Sequence, residues 1–200
     1  MLHGVQTSGV VELRTVTVLG QNVEHGYRYE AASSRGVRNA LRSLNLDYRQ
    51  YTFVDFGSGK GRALLVASSF PFRSVVGIEF AAELHSQALR NVRSYRLGRV
   101  RCRSVECVHA DAADFALPVG PLVLFFFNPF GEPVMTSVVC NIQRSLQAHP
   151  RDALIVCIGS LMRTEIIDRM DNIRVLSRDK NVIVSRIEPG AKGAAVGNVE

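Results

Sequence analysis

The sequence predicts an α/β fold of the doubly wound kind, a mostly parallel sheet with helices on both faces and an antiparallel hairpin at its C-terminal end. Three observations carry this. From residue 52 to residue 170, short apolar runs alternate with segments whose apolar residues repeat at helical spacing. The run 122–127, L-V-L-F-F-F, has no polar position, as a strand covered on both faces requires. The last two strand-like runs, 173–176 and 181–187, are separated by a turn over 177–180. That turn is too short for a crossover helix, so the pair closes as a hairpin.

Composition sets the outer bounds. A chain of 200 residues, 46% hydrophobic, suits one globular domain with a sizeable core. No apolar run reaches the roughly 18 residues of a membrane span, so no membrane partner is expected. The opening residues lack the basic and apolar regions of a secretory signal. Cys102, Cys107, Cys140 and Cys157 form no C-x-x-C pair, and free thiols in a reducing cytoplasm are expected. Lys and Arg exceed Asp and Glu, 24 against 18, for a net charge of +6. The only lysines are Lys60, Lys180 and Lys192, so the excess is almost all arginine. Its densest stretch, 90–103, reads mainly as the solvated face of a helix and the loop after it, with nucleic-acid binding as the alternative.

The elements follow in order. Residues 10–18 mix β-branched and polar residues and predict a strand or ribbon, with a turn at 20–22. Ser33 and Ser34 offer N-caps to a helix bearing Val37, Ala40, Leu41 and Leu44, ended by Asn45 and Asp47. Strand 52–56 feeds helix 61–69, which Pro71 breaks. Strand 74–80 precedes helix 81–96, whose Leu84, Ala88, Leu89, Val92 and Tyr95 share one stripe. Strand 104–108, loop 118–121, strand 122–127 and a stop at 128–131 come next. Helix 132–147, strand 153–158 and a helix from Gly159–Ser160 to about Met170 lead into the closing hairpin. Residues 1–48 thus form an N-terminal segment, 49–188 the core, and 189–200 a small-residue, glycine-rich, flexible tail.

The core is organised around 52–62, T-F-V-D-F-G-S-G-K-G-R, an apolar run that breaks into Gly57, Gly59 and Gly61 before turning helical. Glycine permits positive φ and lets backbone N–H groups approach a ligand closely. A phosphate-binding P-loop needs Ser or Thr after the lysine, whereas Lys60 precedes Gly61. A dinucleotide fingerprint needs G-x-G-x-x-G; here the spacing is G-x-G-x-G, with Asp55 two residues ahead. D-x-G-x-G-x-G at the end of a first strand resembles the class I S-adenosylmethionine-dependent methyltransferases. D-F-G-S-G-K-G followed by G-I-E at 77–79 is nearest in flavour to their seven-strand protein-lysine members. The resemblance covers 50–187 and implies a seven-stranded sheet, S-adenosyl-L-methionine as cofactor and methyl transfer as the reaction.

It also implies roles. Gly57, Ser58, Gly59 and Gly61 cradle the cofactor. The Glu79 carboxylate, at the end of the second strand, accepts the ribose hydroxyls. Phe80 packs on the adenine or in the core. Asp111 accepts from the adenine amino group beside the backbone N–H of Ala112, while Asp114 points to solvent or a cap. Asp55 holds the glycine loop or meets the cofactor's amino end through water. Tyr29 and Glu30, with Tyr27, close over the cofactor as a lid. Asn128-Pro129-Phe130 resembles the [DN]-P-P-[FYW] signature of amino-nitrogen methyltransferases, short of one proline. There the Asn oxygen and a backbone carbonyl accept the hydrogens of the target NH₂, and the aromatic ring packs on the substrate. In-line transfer needs positioning above all, so no metal is expected, and His25, His85, His109 and His149 are too scattered to make a base. The expected activity is methyl transfer to an amino nitrogen, with a protein lysine as first acceptor and a small molecule or RNA as alternatives. A non-catalytic cofactor-binding module is the reading from another class, and a nicotinamide dehydrogenase is disfavoured by the glycine spacing.

Overall fold

The computed structural model describes residues 4–12, 17, 29–95, 100–159, 167–168, 170 and 172–188. Among them, seven strands make one sheet: β1 (Thr52–Phe56), β2 (Ser74–Glu79), β3 (Val105–His109), β4 (Leu122–Phe127), β5 (Ala153–Ile158), β6 (Ile173–Asp179) and β7 (Val182–Ile187). Their order is β3-β2-β1-β4-β5-β7-β6. β1 to β5 run parallel, and β7 runs antiparallel to both β5 and β6. Four helices surround it: α1 (Ser34–Arg42), α2 (Arg62–Ala67), α3 (Ala82–Ser94) and α4 (Glu132–Ala148). The expected architecture is borne out.

Alternation along the strands builds two cores. Val54, Phe56, Leu124, Phe126 and Ile155 face α4, meeting its Val134, Met135, Val138 and Ile142. Phe53, Val123, Phe125, Leu154 and Val156 face α1 and α2, meeting Val37, Leu41, Leu64 and Val66. Phe56 and Phe126, paired in register, stack with ring centroids 4.8 Å apart. α1 starts where expected because the Ser33 hydroxyl accepts from the Gly36 N–H at 3.3 Å. The strand order reverses between β1 and β4, which opens a crevice beyond their carboxyl ends, where open α/β sheets bind ligands.

The chain differs from expectation at its margins. β6 runs through the expected turn to Asp179, with a register shift between Val175 and Ser177, and the hairpin turns at Lys180–Asn181. As an edge strand exposed over most of its length, it needs no apolar alternation, so Ser177, Arg178 and Asp179 read as turn. Over 10–18 only Val11 pairs among the described residues, in an isolated bridge to Tyr29. The N-terminal segment bonds to side chains of α3: the Gln6 N–H donates to Asn91 Oδ1 and the Thr17 N–H to Glu83 Oε2, both at 2.9 Å. α2 is shorter than expected, Gly61 lying before its first residue and Ser68 capping it. Most of the helix expected at 159–170 lies outside the described residues, as do the turn at 20–22, Tyr27 and the tail. No helix among the described residues is long and apolar enough to cross a membrane.

Candidate active site

β1 to β4, all parallel, deliver sequence-predicted residues to the same edge of the sheet. The loop after β1 leaves Phe56 and takes positive φ at Gly57, Gly59 and Gly61 (77°, 53° and 81°). The N–H groups of Gly57 and Ser58 both donate to the Ile78 carbonyl, at 3.0 and 2.9 Å, and that of Gly61 to the Ser58 carbonyl at 2.8 Å. The Gly59 N–H donates to Glu79 Oε2 at 2.7 Å, and Glu79 Oε1 accepts from the Ala81 N–H at 2.9 Å. Charge-assisted bonds of this kind contribute about 1.5–3 kcal/mol each. Glu79 therefore clamps the glycine loop to the start of α3. Of the two roles expected for Asp55, the loop tether is made by Glu79 instead, and Asp55 lines the hollow shared with Ser58 and Arg62. Asp55 pairs with Gly77, so its side chain and that of Glu79, two residues further along β2, share the α1–α2 face of the sheet.

The two carboxyls share a buried neighbourhood. Asp55 is 3% and Glu79 4% exposed. Burial pushes Asp55 up to about 8, and the nearby Glu79 charge adds to it. Burial also pushes Glu79 up, to about 7, against the backbone N–H groups of Ala81, Gly59 and Phe80 that favour its charged form. Both acids thus change charge near neutral pH.

Three adjoining hollows meet at Gly57. The first, about 310 Å³, is lined by Ile78, Phe80, Ala110, Asp111, Ala112, Phe130 and Val134. It is mostly apolar, with Asp111 as its acid, and that suits a flat aromatic base with one amino edge. Asp111 Oδ1 accepts from the Ala113 N–H at 2.9 Å, which fixes the turn, and Asp114 is exposed as expected. The second hollow, about 390 Å³, brings Glu79 and Phe80 together with Asn128, Pro129, Phe130, Tyr29 and Glu30. The third adds Asp55, Ser58 and Arg62. Ser58 Oγ is buried with no hydrogen-bond partner among the described residues. A buried hydroxyl of this sort fits a site completed by a polar ligand.

Asn128 ends β4 at φ 42°, a left-handed conformation that asparagine tolerates and β-branched residues do not. Its carboxamide lies against Gly159, just past β5, where a Cβ would overlap Oδ1. Gly159 has φ 122° and donates its N–H to the Asn181 carbonyl at 3.0 Å. The missing side chain of Gly159 makes the room in which Asn128 sits. Pro129 and Phe130 lean over Gly57, with Pro129 3.1 Å from where a Cβ there would lie.

The N-terminal segment crosses the loop from the other side. The Tyr29 ring lies on Gly59, where a Cβ would overlap it, and its hydroxyl donates to the Thr7 carbonyl at 2.9 Å. Arg62 holds the crossing: its guanidinium donates to Thr7 Oγ1, the Thr7 carbonyl, Ser8 Oγ and the Ala32 carbonyl. Lys60 Nζ donates to the Ser8 carbonyl at 2.9 Å and stands 5.1 Å from the Tyr29 ring centroid. Asn91 Nδ2, from α3, donates to the carbonyls of Gln6 and Lys60. Tyr29 and Glu30 do reach the site, Glu30 as an exposed residue at its mouth. Arg62, Asn91, Thr7 and Gly159 were not foreseen. A glycine directly after a five-strand core was the one visible signal for Gly159.

No protein-family model and no curated protein matches the sequence. Solved structures match its shape. The glycopeptide N-methyltransferase MtfA, complexed with (S)-adenosyl-L-methionine, aligns over 82% of this chain and 90% of its own, with TM-score 0.55 and 12% identity. Ribosomal protein L11 methylase from Lactobacillus delbrueckii subsp. bulgaricus aligns over 82% and 81%, with TM-score 0.55 and 12% identity. TrmN from Thermus thermophilus aligns over 78% of this chain and 49% of its own, with TM-score 0.55 and 15% identity. The chain has the seven-stranded fold of the class I methyltransferases.

Proposed function

We propose that this protein is an S-adenosylmethionine-dependent methyltransferase of the cytoplasm whose acceptor is an amino nitrogen. The observation that carries the reading is the meeting of the glycine loop, Glu79 and Asp111 around one crevice at the switch in strand order. The three supply the donors and acceptors that a sulfonium-bearing nucleoside needs: backbone at the loop, a carboxylate for the ribose and an acid for the adenine edge. Phe80 gives the base an apolar wall, and Ser58 Oγ offers a hydrogen bond to the amino-acid end. The complex of MtfA with S-adenosyl-L-methionine, on the same fold, supports the choice of cofactor. Four cysteines without a disulfide suit the reducing compartment.

Bound there, the cofactor supplies an already activated methyl group, so the chain's task is positioning. Asn128 presents a carboxamide oxygen that accepts a hydrogen of the incoming NH₂ and so turns its lone pair toward the crevice. Gly159 keeps that carboxamide in place. Phe130 packs on the acceptor's flat face, and Tyr29, Arg62 and Lys60 keep the N-terminal segment over the loop, which excludes water. Of the expected acceptors, a lysine would bring a cation to a rim already holding Lys60 and Arg62, whereas a neutral exocyclic amine would not. Incubation with methyl-labelled S-adenosylmethionine and separate protein, RNA and small-molecule fractions tests the activity. Label should enter at least one fraction and fall in an Asn128→Ala variant. No incorporation into any of them, by protein that binds the cofactor, would leave a binding module.

A further inference from the structure

The outer face of α1 carries a charge pattern that the crevice does not use. Arg35, Arg38 and Arg42 stand at i, i+3 and i+7, one stripe of the helix, directly opposite the buried Val37, Ala40 and Leu41. The helix S-R-G-V-R-N-A-L-R contains no acid. Among the described residues none of the three arginines meets a carboxylate; Arg38 donates to Ser69 Oγ at 3.2 Å, and Arg35 and Arg42 are exposed. Two further exposed arginines are tied by their backbone near the end of α2, where the Ser68 carbonyl accepts from the Arg101 N–H at 2.7 Å and the Phe72 carbonyl from the Arg103 N–H at 3.3 Å. At its other end α1 begins beside the active-site mouth, since Ala31 and Ala32 line the hollow that holds Asp55 and Arg62.

We propose that this stripe is a docking track for single-stranded RNA, whose strand is led by α1 to the crevice so that an unstacked base presents its amino group beside Asn128. The proposal rests on the methyltransferase reading and names its acceptor. From Arg35 to Arg42 the stripe spans about 10 Å of helix, an acid-free row of positive charge complementary to the phosphates of a nucleic-acid strand. The apolar face of α1 is spent on the sheet, which leaves none to insert into a lipid surface. Single-stranded RNA offers bases that need no removal from a duplex, a step that otherwise costs a few kcal/mol.

The test is fluorescence anisotropy of a labelled single-stranded RNA of about 20 nucleotides with the full chain across 50–200 mM salt. The comparison is between the native protein, Arg35→Gln/Arg42→Gln and a charge-matched control, Arg144→Gln/Arg174→Gln, on α4 and β6. Removing one arginine–phosphate pair lowers the slope of log K against log salt by about 0.7. The stripe variant should therefore show a slope smaller by roughly 1.4 and an affinity at least tenfold weaker at the lowest salt, and the control should show neither change. Equal slopes for both variants, or an RNA that does not bind, overturns the track. So does an acidic peptide or a vesicle rich in phosphatidylserine that depends on Arg35 and Arg42 when RNA does not. RNA binding here needs no cofactor. A calorimetric titration of the same variants with S-adenosylmethionine separates failure of the track from failure of the methyltransferase reading.

Discussion

Glu79→Gln is the substitution on which the site's architecture bears most sharply. The native carboxylate accepts from two backbone donors, Gly59 N–H at 2.7 Å and Ala81 N–H at 2.9 Å, inside a buried setting. A glutamine keeps one acceptor oxygen and turns an NH₂ toward the other donor, leaving a buried N–H unsatisfied at a cost of about 1–3 kcal/mol. The glycine loop loosens, and the ribose loses its charged acceptor. Affinity for S-adenosylmethionine should fall at least tenfold, about 1.4 kcal/mol or more, at pH 8. The pH profile adds a second signature. Burial raises Glu79 to about 7, so the carboxyl is mostly protonated at pH 6 and mostly charged at pH 8. Ribose hydroxyls donate to the charged form, so native affinity should climb by roughly an order of magnitude over that interval, with proton release on binding. The glutamine variant should be flat. Isothermal titration calorimetry at pH 6 and 8, in two buffers of different ionisation enthalpy, reads both effects. Affinity within twofold of native at pH 8 would remove Glu79 from the ribose site and leave it a loop clamp only.

Three further outcomes follow from the same geometry. Asn128→Ala should leave cofactor affinity within twofold and cut methyl transfer at least tenfold; equal losses in both would move Asn128 into the cofactor shell. Gly159→Ala should reproduce that split, because a Cβ there displaces the Asn128 carboxamide, and a variant with native transfer rates would show that the carboxamide's place is immaterial. Asp55 and Glu79 both hold protons that the unfolded chain has already released. The stability they contribute is complete below about pH 4 and drains away as pH rises through 7 and 8. Asp55→Asn should flatten that decline in thermal denaturation, and a native protein whose melting temperature rises from pH 5 to 8 would contradict the sign.

Much of the fold was legible because the central strands are buried on both faces. β1, β4 and β5 begin and end at the expected residues, their composition leaving no alternative. Legibility fades toward the edges: β3 sits one residue later than expected, and β6 hides as an apparent turn because solvent places no demand on its pattern. Within the site, the residues named by rule were those at strand ends, where topology guarantees convergence. The interactions that the sequence concealed join distant positions. Arg62 reaches Thr7 across 55 residues, and Gly159 meets Asn128 through packing alone. That Glu79 tethers the loop was hidden for a related reason: Asp55 and Glu79 share one face of the sheet, and only the path of the glycine loop decides which carboxyl meets the Gly59 N–H.

Binding of S-adenosylmethionine in the crevice is the central claim. Calorimetric titration of the native chain with S-adenosylmethionine and S-adenosylhomocysteine, with NADH as comparison, tests it most directly. Micromolar binding of both sulfur nucleosides and none of NADH is the predicted result. Absence of binding at millimolar ligand, or binding of NADH in their place, would contradict it.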